Sequence, residues 1–137
     1  MRVAIVYIRS KESAALSEAA KAMAKALDGA GHQVELADAG SGSAPRLTGF
    51  DYVILGTEPE GLGKLPRRVA EYLAQAGALS GKRSMAFVRK SGLGSARALS
   101  RLMAAMEAEG MRVNCAEIVG NPAQAAQAAG SAPIERA

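Results

Sequence analysis

Three short segments of this 137-residue chain are apolar almost without interruption. They are residues 3–8, 52–55 and 84–88, and the first of them is rich in β-branched side chains. A strand buried on both faces has this composition, whereas a strand with one face in water alternates apolar and polar residues. Sheets are covered on both faces mainly when they are parallel and carry helices on each side, so the sequence predicts an α/β protein.

The segments between these runs change to helical periodicity. Apolar residues recur at helical spacing in residues 13–30, in a segment that begins at Pro66, and in the segment that ends at Gly110. Pro122 is suited to the first turn of a last helix of alanine and glutamine, ending near Gly130. Residues 32–38 alternate apolar and polar side chains, which predicts an edge strand, and residues 111–119 supply a fifth strand.

Five strands joined by helical connections predict a doubly wound five-stranded parallel sheet. Right-handed crossovers and an edge position for the second strand favour the order 2-1-3-4-5. We expect one domain over residues 1–130 and a frayed tail over residues 131–137. In such sheets ligands bind outside the carboxyl ends of the strands, near the switch between the first and third strands. The loops after Ile8, Leu55 and Val88 are therefore the ones that decide function.

Several classes of site are excluded by what the sequence lacks. The turn after the first strand has no glycine, so it is not a dinucleotide fingerprint, and no phosphate-binding P-loop or nucleophile elbow occurs. A phospho-acceptor receiver needs acidic residues where Arg9 and Thr57 stand. One cysteine and one histidine argue against a metal site, and Cys115 is expected to be a buried structural thiol. Neither a signal peptide nor a membrane span is apparent, which favours the cytoplasm and no membrane partner.

Taken in order, the loops and their flanking strands resemble the flavodoxin family. The run from Phe50 to Thr57 resembles that family's third strand and its G-T/S-P turn, and residues 63–66 are similar to the G-K/R-x-P that begins the next helix. Residues 79–83 are similar to the family's L-x-G-K-x before the fourth strand. The resemblance covers about residues 3–120. It implies the flavodoxin fold and a site for FMN, whose flavin would supply electron-transfer chemistry.

The resemblance also implies which residues would bind the cofactor. The loop after the first strand would bind the FMN phosphate through its amides and hydroxyls, and the later loops would lie near the flavin ring. The positions implied are Ser10, Lys11, Glu12, Ser13, Thr57, Gly61, Gly92, Leu93 and Gly94. No catalytic residue is assigned.

The sequence departs from the family pattern in these same loops. Lys11 stands where a glycine is usual, Glu12 places a carboxylate beside the phosphate, and neither later loop has an aromatic residue to stack on the flavin. Three functions therefore stay open. The first is a binding or interaction module whose FMN site is divergent or lost, and the second is an FMN-binding electron-transfer protein. The third is an enzyme acting on a small anionic substrate, with Arg67, Arg68 or Lys90 as clamps and Glu12, Glu58 or Glu60 as the base.

Charge is concentrated at the same end of the sheet. Eight basic residues lie on or beside the three loops: Arg9, Lys11, Lys64, Arg67, Arg68, Arg89, Lys90 and Arg97. Four acidic residues accompany them: Glu12, Asp38, Glu58 and Glu60. The excess of four equals the net charge of the whole chain, so the remaining surface is balanced. The hypothesis is a face that accepts an anionic ligand or an acidic protein, while the lack of stacking aromatics argues against nucleic acid. The alternative is an ordinary solvated rim.

Overall fold

The computed structural model describes residues 1–9, 14–41, 46–77 and 79–135. Strands alternate with helices along the chain, except between β2 and β3, where the described residues contain only a short 3₁₀ turn. The elements are β1 (Arg2–Ile8), α1 (Ala14–Gly29), β2 (Gln33–Asp38), a short 3₁₀ turn (Ala39–Ser41), β3 (Tyr52–Thr57), α2 (Arg67–Gln75), β4 (Arg83–Arg89), α3 (Ser95–Ala108), β5 (Arg112–Val119) and α4 (Pro122–Ser131). Pro66 directly precedes α2, and Asn121 caps α4 by accepting a hydrogen bond from the Gln124 amide.

The five strands form one parallel sheet in the order β2-β1-β3-β4-β5, which confirms the predicted topology. The central strands β1, β3 and β4 are buried along nearly their whole length. At the edge, β2 exposes Gln33 and Glu35 and half-buries Val34 and Leu36, as its alternation predicts. On the other edge, β5 is also largely open to solvent.

Helices cover both faces of this sheet because alternate side chains of each strand point to opposite sides. In β1, Ala4, Val6 and Ile8 pack toward α2 and α3, whereas Val3 and Ile5 pack toward α1 and α4. Phe87 of β4 lies on the α1 and α4 side, with its ring against the backbone of Gly56 in the neighbouring strand. A β-carbon placed on Gly56 would lie 2.0 Å from the Phe87 ring. The sheet therefore closes around this ring only because position 56 has no side chain.

The chain after α4 differs in part from the frayed tail expected for residues 131–137. The helix continues through Ser131, and Ile134 is buried in the α1 and α4 layer with 4% of its surface exposed. The amide of Asn114 on β5 also donates to the carbonyl of Pro133. A single isoleucine after a run of small residues has no periodic pattern, so its burial is not visible in the sequence.

Two buried tyrosines make the fold sensitive to alkaline pH. Burial raises the pKa of Tyr72, on α2, to about 12. Burial also raises the pKa of Tyr52, whose hydroxyl donates to Asn114 at 2.6 Å, and the nearby Cys115 adds to the effect while Arg83 opposes it. In the unfolded chain a tyrosine loses its proton near pH 10, so above that pH the unfolded state binds fewer protons than the folded state.

We therefore expect the free energy of unfolding to fall as pH rises above about 10, by up to ~1.4 kcal/mol per pH unit for each buried tyrosine. The stabilisation is complete below the unfolded pKa and is lost as pH rises through the folded one. Urea unfolding between pH 9 and 11 measures this decline. Tyr72→Phe removes one titrating group and should make the decline shallower, and an unchanged decline in that variant would contradict the assignment.

Candidate functional site

The carboxyl ends of β1, β3 and β4, from which the three loops named above leave, lie at one edge of the sheet. Ile8 of β1 pairs with Thr57 of β3, and Thr57 pairs with Val88 of β4. The residues that follow these strands are Arg9, Glu58 and Lys90. The predicted ligand residues Ser10, Lys11, Glu12 and Ser13 lie outside the described residues, so the predicted phosphate loop stays a prediction. Thr57, Gly61, Gly92, Leu93 and Gly94 are described and can be placed.

Thr57 holds the ends of two strands together. Its side chain is fully buried, and its hydroxyl donates a 2.6 Å hydrogen bond to the carbonyl oxygen of Ile8. A hydroxyl has one proton to donate, so this bond commits it to the β1–β3 junction. Thr57 thus lies at the carboxyl edge of the sheet, and its hydroxyl proton is engaged at the β1–β3 junction.

Glu58, the next residue, buries its carboxyl group at the same edge. Only 2% of its surface is exposed, and its Oε1 atom has no hydrogen-bond partner among the described residues. Burying a carboxylate oxygen without a donor is unfavourable, so this group has an unmet capacity to accept hydrogen bonds. From the sequence alone, Glu58 is only a candidate base, and its burial is not expected.

The loop after β3 closes as a tight hairpin. The backbones of Glu60 and Lys64 exchange two hydrogen bonds of 2.8 and 2.9 Å, and the residues between them form the tip. Gly61 is exposed there at a φ of 26°, and Leu62 follows with a φ of 42° and 71% of its surface exposed. A left-handed conformation costs a leucine on the order of 1–2 kcal/mol, which a glycine in the same place would avoid.

The loop after β4 packs directly on this hairpin through two glycines. A β-carbon placed on Gly94 would lie 2.4 Å from the amide nitrogen of Gly63 and 2.6 Å from the carbonyl carbon of Leu62. Gly94 has a φ of 91° and immediately precedes α3. Arg101 on α3 secures the contact by donating to the carbonyl of Gly63 at 3.1 Å. The two loops therefore share a continuous backbone contact.

The loop after β4 has an exposed leucine, Leu93, at its tip, as the loop after β3 does. Leu93 is 79% exposed, and like Leu62 it lies between two glycines. Sequence reasoning places Leu93 near a flavin ring but assigns nothing to Leu62 or Arg101. The repeated tripeptide Gly-Leu-Gly is the signal that could have identified Leu62.

The cations at this edge divide into two groups. On the β1 and β2 side, Arg9 forms an ion pair with Asp38, and Arg68 reaches from α2 to donate to the carbonyl of Arg9 at 3.4 Å. On the α3 side, Arg97 and Arg101 both lie against Gly63. Arg67, Lys64 and Lys90 are exposed, and Arg89 donates to the carbonyl of Lys90. The contacts of Arg68 thus direct it toward β1, away from the Gly63 side.

Cys115 lies outside this edge of the sheet, on β5. Cys115 lies half-buried on β5, where burial, followed by the charge of Glu117, raises the pKa of its thiol. A raised pKa keeps the thiol protonated and weakly nucleophilic. Within the described ranges no cluster of three histidine, cysteine or acidic residues could hold a metal ion. Nor does any described helix have the length and apolarity needed to cross a bilayer.

Comparisons with known proteins agree with this architecture at the level of structure. Neither a protein-family model nor a curated protein sequence matches the chain. Among solved structures, flavodoxin 1 from Bacillus cereus shares 19% identity with a TM-score of 0.71, covering 94% of this chain and 92% of that one. A flavodoxin from the domain Archaea gives a TM-score of 0.77 at 16% identity, over 95% and 92% of the two chains. The chain has a flavodoxin-like fold.

A third similar structure places this fold in a larger protein. The flavodiiron protein from Giardia intestinalis matches 95% of this chain with a TM-score of 0.72 and 16% identity, and the match covers 34% of that protein. The flavodoxin-like unit is therefore found both alone and as part of a longer chain.

The described part of the edge differs from the flavin site that the flavodoxin resemblance implies. The resemblance expects an aromatic platform in the loop after β3 or β4, and both loops offer leucine instead. The Thr57 hydroxyl proton is already engaged with Ile8, and Glu58 places a buried carboxyl beside it.

Proposed function

We propose that this chain is a flavodoxin-fold binding module whose carboxyl-edge loops contact a partner in place of a flavin. The observation that carries the proposal is the backbone contact between Gly63 and Gly94. It joins the two loops that would have to flank a planar ring and leaves their leucines turned to solvent. The engaged hydroxyl of Thr57 supports the same conclusion.

A second candidate is an FMN-binding electron-transfer protein. It is favoured by the likeness to flavodoxins, which extends over more than nine-tenths of this chain and of those chains. Ser10 and Ser13 would then bind the phosphate, while Thr57 and the Gly92, Leu93 and Gly94 turn would lie near the ring. An enzyme acting on a small anionic substrate is the third candidate, and Arg68, one of its proposed clamps, donates to the carbonyl of Arg9 just beyond β1.

The decisive experiment is a flavin titration of the full chain. We expect the purified protein to be colourless and to leave the fluorescence of added FMN unchanged, up to protein concentrations at which even a weak complex, with Kd on the order of 100 μM, would be half-formed. Riboflavin serves as a parallel probe, because it lacks the phosphate, and a response to FMN alone would show that the phosphate is required for binding.

Leu93→Trp supplies a matched control variant. An indole at this exposed position restores an aromatic platform without changing a buried residue. If only that variant quenches FMN fluorescence, the missing platform accounts for the lost affinity. Yellow wild-type protein, or saturable quenching by it, would overturn the module proposal in favour of the second candidate.

A further inference from the structure

We propose that the leucine patch, defined as Leu62, Leu93, Lys64, Arg97 and Arg101, docks an acidic protein segment that carries apolar side chains. The inference rests on the proposed function, since it names the partner chemistry of the same edge. Two independent features of the patch carry it, the apolar tips and the nearby cations.

The apolar part of the patch consists of two exposed leucines on loops that touch. Gly94, the neighbour of Leu93, lies against the backbone of both Leu62 and Gly63. Leu62 is 71% and Leu93 79% exposed, whereas most other large apolar side chains in the described ranges are buried. Exposed apolar residues that occur singly need no explanation, whereas apolar residues grouped on one surface are typical of contact sites.

The backbone at Leu62 gives a further reason to regard its side chain as functional. Leu62 is the one residue other than glycine with a positive φ in the described ranges, and it lies between two glycines that adopt such angles without strain. Its exposure means that no packing within the chain offsets the strain. A need for the Leu62 side chain in binding would explain why a leucine stands at this strained, exposed position.

The cations of the patch lie in the hairpin or against its Gly63. Lys64 follows Gly63 in the hairpin, the stem of Arg97 packs on Gly63, and the guanidinium of Arg101 caps its carbonyl. Glu60 is the acidic residue of the same hairpin, so positive charge predominates. Carboxylates are the natural partners of such a surface, since an arginine fork pairs with them through two parallel hydrogen bonds.

A protein segment fits this combination better than other anionic partners. Nucleic acid would call for aromatic side chains on which bases stack, and neither loop has one. A membrane needs deeper insertion, because even a myristoyl chain anchors only marginally and two leucine tips carry fewer carbons. An acidic segment with apolar side chains matches both the leucines and the arginines.

The test is a binding measurement with a defined probe. The probe is a fluorescein-labelled peptide in which leucine and phenylalanine are spaced among glutamates and aspartates, and binding to the full chain is followed by fluorescence anisotropy at low salt. We expect saturable binding that weakens as salt is added. The Leu62→Gly, Leu93→Ala double variant should weaken it at least about tenfold, equivalent to ~1.4 kcal/mol. Arg97→Glu should weaken it by a similar factor.

Matched controls exist elsewhere on the molecule. Ile118→Ala removes another exposed large apolar side chain, on β5, and Lys25→Glu reverses an exposed charge on α1. Both should leave peptide affinity within about twofold, well under the tenfold step of ~1.4 kcal/mol. Because Leu62→Gly relieves backbone strain, its thermal midpoint should not fall below that of the wild type, which separates loss of binding from loss of folding.

Several outcomes would overturn the inference. They are absence of saturable binding, retention of affinity in the double variant, and equal losses in the Ile118→Ala and Lys25→Glu controls. Preference for phosphatidylserine vesicles or single-stranded DNA over the peptide would assign the patch to another partner. These failures are distinct from failure of the proposed function, because that function is tested by the FMN titration. A colourless protein that binds neither FMN nor the peptide would refute only the docking inference.

Discussion

Gly56→Ala is expected to lower the free energy of unfolding by about 3 kcal/mol, because a single added methyl group would overlap the ring of Phe87. A β-carbon at position 56 would lie 2.0 to 2.6 Å from three atoms of that ring. Both residues are in central strands of the sheet, paired directly across from each other, so neither backbone can withdraw without breaking strand pairing. Urea denaturation at neutral pH measures the change.

Two further variants test whether the ring is the cause. In the Gly56→Ala, Phe87→Leu double variant, leucine leaves room for the added methyl group. The loss of unfolding free energy should therefore be smaller than the sum of the two single losses. Gly29→Ala is the matched control, because a β-carbon there meets nothing within 4 Å, and it should be neutral or slightly stabilising. Strict additivity in the double variant would refute the steric explanation.

Gly94→Ala is expected to lower the free energy of unfolding by about 3 kcal/mol and to separate the loop after β4 from the loop after β3. Position 94 combines a φ of 91° with backbone atoms of Gly63 and Leu62 closer than 3 Å to any added β-carbon. Unlike the end of a flexible side chain, backbone on both sides of the contact cannot move aside locally. Urea unfolding would report the loss of stability, and faster hydrogen exchange of the Lys64 amide, which closes the hairpin, would report the opening.

Gly92→Ala distinguishes backbone strain from steric overlap in the loop after β4. Gly92 also has a positive φ, 58°, but a β-carbon there meets nothing within 4 Å. It should therefore cost only the left-handed penalty, about 1 kcal/mol, and leave the Lys64 amide protected. Equal losses in the two variants would show that the loop contact contributes little.

The sequence predicted the fold because its signals are local and repeated. Uninterrupted apolar runs identify the central strands, and the alternation of Val34 and Leu36 with Gln33 and Glu35 places β2 at an edge. Those two facts are enough to order the sheet once crossovers are right-handed. The burial of Ile134 could not be predicted in this way, because it depends on one contact made after the last periodic segment has ended.

The candidate site was predictable in position and less so in chemistry. The carboxyl ends of β1, β3 and β4 do lie at one edge, as parallel strands require. The direction of the Thr57 hydroxyl depends on how far β3 extends and on its register with Ile8, which no local pattern records. The contact between Gly63 and Gly94 joins residues far apart in the chain. The sequence does not distinguish a glycine required for a close backbone contact from a glycine required for a turn.

The joined loops also bear on how quickly and how selectively this edge could bind. Two loops that are already in backbone contact lose little conformational freedom when a partner binds, so the entropy penalty of ordering them is small. Such a preformed surface associates without waiting for a conformational change, and differences in affinity among partners appear mainly in their dissociation rates. The same rigidity discriminates by shape, because a flat molecule could enter between the loops only by parting two backbones that are in contact.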